Sequence, residues 1–148
     1  MEQISQMLKD INRCGRQYRE ERLEPLGLAQ HQGLYLRVIG QNPGISQERL
    51  AQKLSVNKSN VARQAAMLEE EGFILRSACG KDKRVLQLEL TEKGAALLPQ
   101  IHAVIDSWEQ MLVHSLTASE QQILEILLQK LRSNASRGLK EVQDEGSV

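Results

Sequence analysis

Aromatic side chains are nearly missing from this chain of 148 residues, which holds one Trp, one Phe and two Tyr. Its core must then be built from Leu, Ile, Val and Ala, as helical bundles usually are, and an all-β sandwich is not expected. Cysteine is as scarce: Cys14 and Cys79 lie far apart, form no CxxC pair and accompany no secretory signal, so a structural disulfide is not expected. No apolar run approaches the ~18 residues of a membrane span, and the N-terminus lacks a basic-then-apolar export pattern. These absences predict a cytoplasmic protein with no membrane partner.

Net charge is missing too, with 19 basic and 19 acidic residues. Phosphate contacts dominate DNA affinity, so neutrality at first argues against nucleic acid. The distribution along the chain removes the objection. Residues 1–27 hold five basic and five acidic groups, residues 28–85 nine against five, and residues 86–148 five against nine. A basic middle followed by an acidic C-terminal region fits one part facing phosphate and another facing solvent or a partner subunit.

Catalytic patterns are equally absent. No spacing supplies a nucleophile with its base, a carboxylate pair or a glycine-rich phosphate loop, so no enzyme, catalytic residue or cofactor is expected. His31, His102 and His114 are too scattered to predict a metal site, and His31 reads as a polar surface or inter-subunit residue.

What is present is an ordered set of short elements between residues 50 and 94: two helices, a turn and a basic β-hairpin. Ser46 caps a helix carrying Leu50, Ala51 and Leu54 on one face. After Ser55-Val56-Asn57, Asn57 caps a second helix whose Val61, Ala65 and Leu68 form one buried stripe. Lys58, Ser59, Asn60, Arg63, Gln64 and Met67 are left facing outward. Hydroxyl, amide and guanidinium groups on one helix face are what phosphates and major-groove base edges require. If they reach base edges, Arg63 favours guanine and Asn60 or Gln64 adenine. Gly72 stands where a helix ends in a left-handed residue, and Glu69 to Glu71 oppose the helix dipole at a small cost. Strands are expected at Phe73–Cys79 and Val85–Leu90, with Lys81, Lys83 and Arg84 at the hairpin tip.

The flanks read as helices. Residues 4–22 carry an apolar stripe of Ile4, Met7, Leu8, Ile11, Cys14, Gly15 and Tyr18, and a second helix runs from about Ala29 to Gly40 before the Asn42-Pro43-Gly44 turn. Thr91 caps a helix over residues 92–116, about 37 Å long, which Pro99 should kink near residues 95–99. Thr117 and Glu120 form a capping box opening a last helix with Ile123, Ile126, Leu127, Leu128 and Leu131. Its apolar face is wider than one intramolecular contact needs, which predicts a second chain against it.

The element order, together with Leu50-Ala51-x-x-Leu54, Leu68-Glu-Glu-Glu-Gly72-Phe-Ile, Asp82-Lys83-Arg84 and Leu90-Thr91-Glu92-Lys93-Gly94, resembles the MarR family of bacterial transcription regulators over about residues 4–133. The resemblance implies a mainly α fold with a small β-hairpin wing, a winged helix-turn-helix flanked by N- and C-terminal dimerisation helices. Its parts would be a dimerisation helix in 1–27, a DNA-binding domain in 28–90 and dimerisation helices in 91–133; residues 134–148 lose apolar periodicity and read as a frayed polar tail. It also implies a homodimer, double-stranded DNA with a pseudo-palindromic operator as partner, and repression relieved by a small aromatic or phenolic effector.

The DNA-contacting residues so implied are Ser46, Gln47, Lys58, Ser59, Asn60, Arg63, Gln64, Lys81, Asp82, Lys83 and Arg84. Arg84 would enter the minor groove, oriented by Asp82. Tyr18, Arg22, Tyr35 and Trp108 are the candidates for an effector cleft. Cys14 sits about where the family's organic-hydroperoxide sensors carry their thiol, which leaves a redox-sensing regulator as an alternative, although only Tyr18 and Tyr35 supply the hydroxyl-bearing aromatics those sensors place around it. A winged helix used only for protein assembly is another, and it would have no need of the cationic hairpin tip.

Overall fold

The computed structural model describes residues 3–78 and 84–147. Cys79, Lys81, Asp82 and Lys83, and with them three expected wing-tip contacts, lie outside the described residues. The chain divides into two compact units, one through Trp108 and one from Glu109.

In the first unit, α1 (Ile4–Leu23) leads through a short 3-10 turn at Glu24–Leu26 to α2 (Gln30–Gln41). Two short helices follow, α3 (Gln47–Leu54) and α4 (Lys58–Glu70), and their ends are set by local chemistry. Ser46 Oγ accepts from the Arg49 amide at 3.1 Å, and Asn57 Oδ1 accepts from the Asn60 amide at 2.7 Å. Each satisfies a backbone donor that the first helical turn leaves unpaired. Ser55, at φ 54°, makes the left-handed turn between the two helices. Val61, Ala65 and Leu68 are fully buried, together with Leu50 from α3 and Leu36 and Ile39 from α2.

The strands β2 (Ile74–Ala78) and β3 (Leu86–Leu90) pair antiparallel, with Ile74 opposite Leu90 and Ala78 opposite Leu86. A third strand, β1 (Ile45–Ser46), pairs with the other edge of β3, putting Ile45 opposite Leu88. The sheet therefore has three strands where the sequence shows a hairpin, because two residues are too few to display alternation. Leu88 is fully buried while Glu89 is exposed, as the alternating pattern requires.

Gly72 takes φ 84° and turns the chain from α4 into β2. The acids before it are offset by tertiary partners. Gln32 Nε2 donates to Glu71 Oε2 at 2.9 Å, and Glu69 takes bonds from the Arg76 amide (2.9 Å) and guanidinium (3.1 and 3.2 Å). Those side-chain and backbone bonds from Arg76 hold the Glu69 carboxyl below its ordinary value of 4.5. A depressed folded-state value stabilises the fold above the unfolded one and loses that contribution as pH falls through the folded one. Glu69→Gln should therefore cost about 0.5–1 kcal/mol at neutral pH, the pair being partly exposed. Thermal melts of both proteins should draw together as pH falls below about 4.5 and converge below the folded-state value, and a gap that persists in strong acid would show that the charge is not responsible.

The expected helix over 92–116 is divided. α5 (Glu92–Ala96) and α6 (Leu98–Leu112) are separated at Leu97, and Pro99 occupies the first turn of α6, where its missing N–H costs nothing. Thr91 Oγ1 accepts from the Gly94 amide at 3.1 Å and donates to the Gly72 carbonyl at 2.6 Å, so one hydroxyl caps α5 and holds it to the turn after α4.

In the second unit, Thr117 and Glu120 form the expected capping box and open α7 (Ala118–Glu145). The helix continues past residue 133, where loss of apolar periodicity pointed to a frayed tail. Residues 134–145 include Ala, Leu, Lys, Arg, Glu and Gln and no proline, and extending an established helix costs little. No described residue of α7 is buried, and Ile123, Ile126 and Leu127 are at least half exposed. Among the described residues, no helix is long and apolar enough to cross a membrane.

Candidate nucleic-acid interface

The N-termini of α3 and α4 and the start of β3 enclose a cleft of about 290 Å³, lined by Ser46, Gln47, Glu48, Lys58, Ala62, Arg84, Val85 and Leu86. Four of the expected DNA contacts, Ser46, Gln47, Lys58 and Arg84, thus meet around one depression although they span 39 positions of sequence from first to last. Arg84 and Lys58 are exposed. Lys58 Nζ lies 2.9 Å from Glu48 Oε1, an exposed pair between α4 and α3 that was not foreseen. Such a pair is worth little in water and leaves the ammonium available to a competing phosphate. Ser46 spends its hydroxyl on the cap, so what it can offer an anion is the helix N-terminus it helps to build. Ser59 Oγ donates to Asn57 Oδ1 at 2.9 Å and so reinforces the cap of α4.

Arg63 and Met67 are exposed on α4 as expected. Asn60 and Gln64 are not. Both are half-buried and turned toward α2: Tyr35 donates its hydroxyl to Asn60 Oδ1 at 2.8 Å, and His31 Nε2 lies 2.9 Å from Gln64 Oε1. Their partners explain the correction, since α2 presents polar groups along the seam that α4 packs against. His31 is accordingly half-buried and bonded within its own chain. Tyr35 is 3% exposed, and burial pushes its phenol above the ordinary 10, with the nearby Arg63 charge opposing. The phenol therefore stays protonated and a donor well into alkaline conditions.

Three of the four effector candidates touch one another. Tyr18 and Trp108 pack as tilted rings with centroids 5.5 Å apart and planes at 39°, and the Arg22 guanidinium lies 4.9 Å over the Tyr18 ring. Gly15 makes room for this, because a Cβ there would sit 2.9 Å from the indole. Tyr35 instead serves the seam with α4. Cys14 is exposed on α1. Among the described residues, no group of three or more His, Cys, Asp or Glu side chains is placed to hold a metal ion.

Two capped helices joined by a left-handed turn, a three-stranded sheet and a basic cleft between them define a winged helix-turn-helix protein. Comparison with known proteins narrows the class. The model of the MarR family matches residues 28–86. The transcriptional regulator SlyA is 30% identical, with a TM-score of 0.88 over 95% of this chain and 99% of its own. A MarR family transcriptional regulator from Listeria monocytogenes, complexed with a 26mer DNA, is 27% identical over 97% of this chain and 96% of its own, with a TM-score of 0.88. MepR of S. aureus, in a complex with DNA, is 25% identical over 91% and 99% of the two chains, with a TM-score of 0.85. This chain belongs to the MarR family, whose members are transcription regulators and not enzymes.

Proposed function

We propose that the protein is a cytoplasmic, dimeric, sequence-specific DNA-binding repressor that a small aromatic or phenolic effector releases from its operator. The observation that carries the reading is the convergence of Lys58, Arg84 and the N-terminus of α3 on one cleft, with Arg63 exposed on the same helix as Lys58. Phosphate needs cations and oriented amides, and a guanidinium next to them suits the negative potential of a narrow minor groove. Two relatives of the same fold are complexed with DNA, which supports the same partner here. Lys81, Asp82 and Lys83 belong to the proposed wing contacts on sequence grounds.

A protein-assembly role is the weaker reading, since such a surface gains nothing from a cationic cleft. Dimerisation is proposed through residues 1–27 and 91–133, leaving 28–90 to bind DNA. Ile4, Met7, Leu8 and Ile11 of α1, and Ile123, Ile126, Leu127 and Leu131 of α7, are exposed apolar residues of the kind a second copy would cover. For the effector, the Arg22–Tyr18–Trp108 group offers a cation for an acid group and aromatic faces for a ring.

Selection of duplexes from a random pool with the purified reduced protein tests the reading. A pseudo-palindrome with half-sites about 10 base pairs apart is expected, held by two copies of the chain as judged by the mass of the complex. Absence of any enriched motif, with no salt-sensitive binding, would overturn it.

A further inference from the structure

The seam between α2 and α4 is a matched ladder. His31 and Tyr35 stand four residues apart on α2, Asn60 and Gln64 four apart on α4, and the pairs Tyr35–Asn60 and His31–Gln64 run in antiparallel order. One helical turn separates the members on each side, so both bonds form at a single relative placement of the two helices. Both bonds also take the same end of the amide. Asn60 Oδ1 accepts from the Tyr35 hydroxyl, and Gln64 Oε1, which can only accept, requires the proton on His31 Nε2.

An amide that reads adenine in the major groove uses both of its ends, donating to N7 and accepting from the N6 amine. Here the carbonyl oxygen of each amide is drawn into the seam, which fixes the amide's orientation, and neither Tyr35 nor His31 takes its NH2 end. We infer that Tyr35 and His31 are specificity-determining positioning residues, which present Asn60 and Gln64 to the major groove as hydrogen-bond donors. Donors suit guanine N7 and O6 or thymine O4, and the arrangement selects against the bidentate contact with adenine that these residue types would otherwise make. The inference rests on the DNA-binding reading above. Buried and protonated, the Tyr35 phenol keeps its donor role throughout the neutral range.

The test is to repeat the random-pool selection with the full chain as wild type, Asn60→Ala, Gln64→Ala, Tyr35→Phe and His31→Ala. The alanine variants at 60 and 64 identify the base positions that the two amides read. In the wild type those positions should carry guanine or thymine. Tyr35→Phe removes only the hydroxyl, and His31→Ala frees Gln64 independently should the first variant fold poorly. Each should raise adenine at the corresponding position by about fivefold or more, the scale of one good base contact.

A role confined to packing would lower the melting temperature, or weaken binding to all sequences alike, and leave the base preferences unchanged. That result overturns the proposal, as does adenine at the Asn60- or Gln64-dependent positions of the wild type, or no position that depends on either amide. No motif with the wild type itself would instead remove the DNA-binding reading, so the two failures are distinguishable.

Discussion

Gly94→Ala is expected to cost the fold about 1–3 kcal/mol, or more if the backbone cannot yield, and to lower Tm by roughly 3–10 °C. A Cβ on Gly94 would overlap the backbone carbonyl oxygen of Phe73, which already accepts a hydrogen bond from the Thr91 amide at 3.0 Å. Helix α5 can pass the start of β2 only because nothing projects there. The surroundings are rigid: Thr91 Oγ1 is bound to the Gly72 carbonyl, and Lys93 Nζ donates to the Glu71 carbonyl at 2.8 Å while lying 4.6 Å from the centre of the Phe73 ring. Relief by sliding α5 away would break several of these at once. Gly138 in α7 is the control, since a Cβ there meets nothing within 4 Å and alanine is the better helix former. Thermal denaturation of both variants decides the matter; equal stability of Gly94→Ala and wild type would refute the close approach.

Arg84→Ala should weaken operator binding by roughly 5- to 150-fold, the range for losing one well-placed arginine contact, while far-UV circular dichroism stays unchanged. Arg84 is exposed beside Lys58 at the mouth of the cleft, where its loss removes positive charge without opening the core. Arg84→Lys separates the possible contacts. Lysine would restore most of a phosphate contact, whereas a narrow minor groove favours the more weakly hydrated, planar guanidinium, so only a small recovery is expected. Fluorescence anisotropy across a salt series reads both quantities, and an unchanged affinity in Arg84→Ala would count heavily against a wing contact.

Local rules made most of the elements legible beforehand. Ser46, Asn57, Thr91 and Thr117 each cap the helix they were expected to cap, because a short oxygen-bearing side chain beside unpaired amides acts within a few residues. The stripe of Val61, Ala65 and Leu68 and the turn at Gly72 were equally readable, since helical periodicity and a left-handed backbone are properties of the chain itself. Leu90-Thr91-Glu92-Lys93-Gly94 carried a family signature, but its reason is tertiary: each of Thr91, Lys93 and Gly94 engages the turn between α4 and β2.

The misreadings occur where a distant segment decides. Asn60 and Gln64 look fully outward on any helical wheel, and only the arrival of His31 and Tyr35 from α2 ties their carbonyl oxygens to the protein and half-buries them. A signal was available in the matching four-residue spacings, yet nothing in one sequence says which two helices will pair. The strand at Ile45–Ser46 exists because β3 supplies its hydrogen bonds. By itself, the sequence determined where helices start and stop, which faces are apolar and that a basic middle precedes an acidic end, all consequences of nearest-neighbour chemistry. Only the tertiary structure decided which polar groups of α2 and α4 bond to one another and which stay exposed, because a hydrogen bond between helices depends on separations that sequence spacing does not encode.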